Sequence, residues 1–79
     1  MLVEVRLYAT LREYSPPDAV NGVFSARLPA GASLADLMTM LGISANKVHL
    51  RMVNGVGVTE QHLLQDADRI GLFPPIGGG

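Results

Sequence analysis

Seventy-nine residues suffice for one domain, since domains typically run to about 100–150 residues and a second core would not fit. With no cysteine present, neither a disulfide framework nor a thiolate metal site can staple the fold, so hydrophobic packing must hold it. Six Lys and Arg against seven Asp and Glu give a net charge of −1, without the basic face that a nucleic acid or an anionic membrane requires.

A hydrophobic fraction of 48% is that of a globular chain rather than a disordered one. No stretch approaches the ~20 apolar residues of a membrane span. The opening MLVEVRLYATLREY alternates and carries early charge, unlike a secretion leader. A cytoplasmic protein that is monomeric when free is expected.

The first element is LVEVRLYA, Leu2 to Ala9. Val3, Val5, Leu7 and Ala9 fall on one face and Glu4, Arg6 and Tyr8 on the other, the period of a half-buried strand. Ser15-Pro16-Pro17-Asp18 then breaks regular structure. Asn21-Gly22 favours a tight turn into VFSARLP, where Phe24, Ala26 and Leu28 alternate as a second strand. The two strands read as a hairpin with a long loop.

In AGASLADLMTMLG, Ser33 is a helix N-cap and Asp36 can complete a capping box near the positive helix end. Leu34, Leu37, Met38 and Leu41 form one helical stripe, and Gly42 supplies the stop. A helix of about 9 residues is too short to stand alone and must lie against the sheet. VHLRMVNGVGV reads as a third strand turning at Asn54-Gly55, the strongest short hairpin signal, into a brief fourth. Leu63 and Leu64 anchor the next loop, Asp66-Ala67-Asp68 turns it, and RIGLF ends the domain as a strand with Ile70 and Leu72 facing one way. One helix with one stripe can cover one face of a single mixed sheet. The order predicts an α+β β-grasp, the ubiquitin architecture, with four to five strands: residues 1–73 form the domain and 74–79 a flexible tail.

Residue types that usually carry chemistry are sparse. His49, read in a strand, and His62, beside a turn, lack metal-ligand spacing and read as surface or boundary residues, so no metal is expected. Asp66 and Asp68 suit turn amides better than a general acid–base pair. Met38, Met40 and Met52 read as core and boundary filling. What remains is the ending, LFPPIGGG. Adjacent prolines hold a chain extended and direct it away from the fold. Glycines then add no side chains, and five residues from Pro75 can project the end by roughly 16–18 Å at full extension. Such a tail can thread a narrow channel and present the Gly79 carboxylate to a partner; the opposing interpretation is a disordered fringe.

DRIGLFPPIGGG closely resembles the C-terminus of the ubiquitin-like sulfur carriers, most of all the small subunits of molybdopterin synthases. The match is Phe73-Pro74-Pro75, the intervening Ile76 and Gly77, and the pair Gly78-Gly79. MVNG resembles that family's Val-Asn before its tight turn, and LYATLREY its first strand and exit, with Arg12 and Glu13 in place. The resemblance implies that a ubiquitin-activating-type enzyme uses ATP to adenylate Gly79 and that sulfur then converts it to a thiocarboxylate. Gly77 and Gly78 would give the tail passage, while Phe73, Pro74, Pro75 and Ile76 direct it and touch the partner. It implies no bound cofactor and no catalysis by the chain alone; the acceptor would be the large subunit of a molybdopterin synthase or another sulfur-accepting enzyme. Carriers for thiamine thiazole, sulfur amino acids or tRNA thiolation, and a modifier conjugated through Gly79, share the same ending. A plain binding module with an incidental tail stands outside this class.

Overall fold

The computed structural model describes residues 1–75. Its strands are β1 (Leu2–Leu7), β2 (Val23–Arg27), β3 (Leu50–Val53), β4 (Val56–Gly57) and β5 (Arg69–Phe73), with one α-helix, α1 (Leu34–Leu41). They form one mixed sheet in the order β2-β1-β5-β3-β4. β1 and β5 run parallel, pairing Val5 with Ile70 and Leu7 with Leu72, and the other pairings are antiparallel. This is the β-grasp order, and it makes the last strand the middle of the sheet.

The alternating residues pack as their period requires. Val3, Val5, Leu7, Phe24, Ala26, Ile70 and Leu72 are buried under the helix side of the sheet, where Leu34, Leu37 and Met38 meet them. Each fully buried aliphatic side chain of this kind contributes about 1.5–3 kcal/mol relative to its exposed state. Leu41 is half-buried at the edge of this core. The predicted capping box is formed in full: Asp36 N–H donates to Ser33 Oγ at 3.2 Å, and Ser33 N–H donates to Asp36 Oδ2 at 2.8 Å. Gly42 closes the helix in the left-handed conformation, φ 77°. Beyond the box, Leu34 and Ala35 N–H donate to the carbonyls of His62 and Glu60, so the loop before β5 satisfies donors that a helix start otherwise leaves open.

Four expectations are corrected. Ala9 is exposed and left-handed, φ 51°, because the chain leaves the sheet after Tyr8 and enters a short 3-10 helix, Ala9–Tyr14, that drops Leu11 into the core instead. Leu63 is exposed while Leu64 is buried, since the extended segment can turn only alternate residues inward. Met40 is exposed too, lying off the helix stripe, although Met38 is buried and Met52 half-buried. His49 stands just before β3 rather than within it.

The two Asn-Gly turns form as expected, with all four residues at positive φ. Gly22 is the more constrained, for a Cβ there would collide with the Leu7 carbonyl oxygen, which itself lies beside the Leu7 N–H bond to the Gly22 carbonyl. A side chain there would force β1 and β2 to shift at the point where β1 leaves the sheet and β2 enters it.

Candidate functional site

The site grows from the end of β5. Because β5 lies between β1 and β3, its last two residues are held from opposite sides: Tyr8 N–H donates to the Leu72 carbonyl at 3.2 Å, and His49 N–H donates to the Phe73 carbonyl at 2.8 Å. The tail therefore starts from an anchored backbone. Leu72 faces the core and is fully buried, so Phe73 is turned to the opposite, open face of the sheet.

On that face the Phe73 ring lies flat on Tyr8, with ring centroids 4.2 Å apart and planes 6° from parallel. A stacked aromatic pair adds about 0.5–1.5 kcal/mol beyond its buried area. Tyr8 and Phe73 meet because β1 and β5 are parallel neighbours and both residues stand just past the pairing of Leu7 with Leu72. Beneath the rings is Gly71, where a Cβ would stand 3.4 Å from Phe73 and 3.5 Å from Tyr8. Those are ordinary contact distances, so the rings close over position 71 without a clash that would demand glycine.

Pro74 is half-buried and Pro75 exposed. The prolines separate two open grooves. One, of about 410 Å³, is mainly apolar and is walled by Tyr8, Ala9, His49, Leu50 and Phe73. The other, about 500 Å³, lies between the 3-10 helix and the Asn46-Lys47 turn. Phe73, Pro74 and Pro75 are thus brought together where a partner can reach them. Ile76, Gly77, Gly78 and Gly79 lie outside the described residues.

The other sequence candidates stand apart from this end. Asp66 Oδ1 accepts from Leu2 N–H at 2.8 Å, and Asp68 Oδ2 from Gln65 N–H at 2.8 Å. Asp68 therefore serves an amide of its own turn, as its setting suggested, whereas Asp66 reaches across to the first amide of β1, a partner 64 positions away. Asp68 does more than the sequence revealed: it is buried, and its Oδ1 accepts from Asn54 Nδ2 at 2.9 Å, while Asn54 Oδ1 accepts from Arg69 N–H at 2.9 Å. His49 is exposed and His62 half-buried. Among the described residues no cluster of three or more His, Asp or Glu could hold a metal ion, and no helix is long and apolar enough to cross a membrane.

Tyr8 and Gly71 were missed as site residues. The only sequence signal was that Tyr8 falls on the outward phase of β1 and Gly71 on the outward phase of β5. Their meeting follows from a parallel pairing across 63 residues (71 minus 8), which periodicity does not reveal.

A β-grasp domain with an aromatic platform at the root of a Pro-Pro tail on its central strand defines a ubiquitin-like carrier or modifier. Comparison with known proteins narrows the class: the model of the ThiS family matches residues 5–79, and the chain belongs to that family of ubiquitin-like sulfur carriers. Comparison with the curated proteins gives no match. Among solved structures, a chain assigned as molybdopterin converting factor, subunit 1, from Pyrococcus furiosus is 25% identical with a TM-score of 0.72, over 95% of this chain and 98% of that one. The protein-protein complex of subunits 1 and 2 of molybdopterin-converting factor from Helicobacter pylori matches at 25% identity and TM-score 0.64, over 100% of both chains. SAMP1 from Haloferax volcanii has the same fold at 19% identity, TM-score 0.74, over 100% of both chains.

Proposed function

We propose that this protein carries sulfur as a thiocarboxylate on Gly79 and donates it in molybdopterin biosynthesis, as the small subunit of a synthase. The observation that carries the reading is the anchored root of the tail: the central strand ends at a Phe73 pinned on both sides, followed at once by Pro74-Pro75. The 25% identity to the two molybdopterin-converting subunits supports this branch, and the H. pylori complex of subunits 1 and 2 supports a large-subunit partner.

The chemistry follows from the ending. A free carboxylate is a poor electrophile, so an adenylating enzyme consumes ATP, joins the Gly79 carboxylate to AMP and releases pyrophosphate. A persulfide then attacks the acyl carbon and expels AMP, leaving an acyl disulfide. A thiol cleaves its S–S bond and frees the thiocarboxylate. That sulfur is ionised near neutral pH and polarisable, which makes it a nucleophile of the thiolate kind. Gly77 and Gly78 offer no side chain to obstruct a channel, and Ile76 is the one apolar side chain that follows the prolines. Ordering five residues from Pro75 in the acceptor costs on the order of 5 kcal/mol of backbone entropy, which contacts around Phe73 offset.

The test is reconstitution. Incubation with an adenylating enzyme, ATP and a sulfur donor should raise the intact mass by the exchange of one oxygen for one sulfur. The product, mixed with the synthase large subunit and the pterin precursor, should form molybdopterin and return to its original mass. A thiocarboxylate that forms but transfers only to a thiazole-forming or tRNA-thiolating enzyme would move the protein to another branch. Isopeptide ladders in place of a thiocarboxylate would make it a modifier.

A further inference from the structure

The tetrapeptide Val-Asn-Gly-Val occurs twice in the chain, at 20–23 and at 53–56. Both copies close a two-residue hairpin turn between their paired valines. Asn21 and Gly22 have φ 53° and 78°, and Asn54 and Gly55 have φ 53° and 82°, so both turns are of the I′ kind. Asparagine before glycine is also a reactive pair, because glycine has no Cβ to crowd the approach to its nitrogen. The glycine nitrogen attacks the asparagine Cγ, and the new N–C bond expels the side-chain nitrogen as ammonia, which takes the glycine amide proton. Water then opens the resulting succinimide at either carbonyl. The products are aspartate, or isoaspartate with the main chain running through Cβ.

The attacking nitrogen is free in both copies: neither Gly22 N–H nor Gly55 N–H donates a hydrogen bond among the described residues. The carboxamides differ. Asn54 is held at both ends, its Nδ2 donating to Asp68 Oδ1 at 2.9 Å and its Oδ1 accepting from Arg69 N–H at 2.9 Å. Its own N–H donates to the Arg69 carbonyl at 2.8 Å. Asn21 is exposed, and its side chain makes no hydrogen bond among the described residues. A bonded carboxamide must give up its partners before it can turn toward the attacking nitrogen. With the local sequence identical, the sheet protects one copy and leaves the other open. The third asparagine, Asn46, precedes Lys47 rather than glycine.

We propose that Asn21 is the site of spontaneous deamidation in this protein, and that the clamp from Asp68 and Arg69 keeps Asn54 intact. Gly22 is buried, so ring closure at Asn21 waits on local opening of its turn and runs slower than in the unfolded chain. The product has a reach beyond the turn. The Gly22 carbonyl accepts from Leu7 N–H at 2.9 Å, and the Gly22 Cα is packed against the Leu7 carbonyl oxygen. Isoaspartate adds one backbone carbon beside that contact and a negative charge near Arg12, whose side chain borders Gly22. Leu7 immediately precedes Tyr8, so an aged turn disturbs the strand end on which Phe73 stacks. None of this depends on the tail chemistry, and it holds for a carrier and for a modifier alike.

The test incubates the full-length protein at mildly alkaline pH and follows conversion at each asparagine by peptide mapping, with electron-transfer fragmentation to tell aspartate from isoaspartate. In the native protein Asn21 should convert at least about tenfold faster than Asn54. In concentrated urea the two rates should agree within about twofold, since the tetrapeptides are the same and the clamp is gone. Asp68→Ala, checked as folded by circular dichroism, removes one arm of the clamp. It should raise the Asn54 rate at least about threefold and leave the Asn21 rate unchanged. The deamidated wild-type fraction, isolated by anion exchange, should unfold at lower urea than the fresh protein.

Equal native rates, or faster loss at Asn54, overturn the inference. A native preference for Asn21 that persists undiminished in urea contradicts the clamp, because it places the difference in the flanking sequence. Parallel acceleration of both sites in Asp68→Ala also contradicts it, as the mark of general loosening. An unchanged urea midpoint in the deamidated fraction contradicts the coupling of the turn to β1.

Discussion

The two ends of β5 are built by opposite means. At its start, Asp68 is buried and its carboxylate is spent on Asn54 Nδ2 and Gln65 N–H, while Asn54 ties back to Arg69 N–H. At its finish, Phe73 is fixed by backbone bonds to its carbonyl and neighbour, and its ring stacks on Tyr8 in the open. The first end uses side-chain polarity to close the fold. The second leaves its side chains accessible and lets the backbone hold position. A domain that presents a tail to successive partners, as proposed, would use both: one end tied by side-chain bonds, and one whose surface is free to be covered and uncovered.

The contrast can be broken most sharply at the tail. Deleting Gly79 should abolish sulfur transfer while shifting the urea midpoint negligibly, because the buried core of the described residues is complete from Val3 to Leu72; a loss of stability comparable to a core substitution would contradict the division. Next in size, Asp68→Ala removes the part-buried bonds from Asn54 Nδ2 and Gln65 N–H and should destabilise by about 1–3 kcal/mol in urea unfolding. Thiocarboxylate formation per folded molecule should be unchanged. Tyr8→Ala removes the platform under Phe73 and should cost about 1–2 kcal/mol, together with a severalfold loss of affinity for the adenylating enzyme. A stability change without an affinity change would make the stack purely structural. Smallest, Ser33→Ala breaks the capping box at the far side of the sheet and should cost about 1 kcal/mol, with transfer per folded molecule intact.

Much of the fold was legible because it is written in local rules. The alternation of Val3, Val5 and Leu7, the Ser33–Asp36 box and both Asn-Gly turns each depend on residues a few positions apart, and each appears where those rules put it. Ala9 and Leu63 show the limit. Ala9 keeps the strand's phase, yet a left-handed backbone at that residue, costing about 1–2 kcal/mol, takes the chain off the sheet so that Leu11 rather than Ala9 closes the core. Leu63 and Leu64 are equally apolar, and the pairing of their segment with the helix start, including the bond from Leu64 N–H to the Ala32 carbonyl, goes with Leu64 turned inward.

The site divides in the same way. Phe73, Pro74 and Pro75 announced themselves by composition and order. Tyr8 and Gly71 did not, since what joins them is the parallel pairing of the first strand with the last. Asp68 was readable as a turn residue, while its bond to Asn54 spans 14 positions and needs the sheet to bring the two together.

The central claim is that sulfur rides on the last residue of the tail while the sheet only presents it. Fragmentation mass spectrometry of the intact protein, after reaction with adenylating enzyme, ATP and sulfur donor, tests this most directly. The account predicts that the exchange of oxygen for sulfur appears only in C-terminal fragments containing Gly79 and never in N-terminal fragments ending before it. Sulfur located within the folded domain, or a protein adenylated at Gly79 that never gains sulfur, would contradict it.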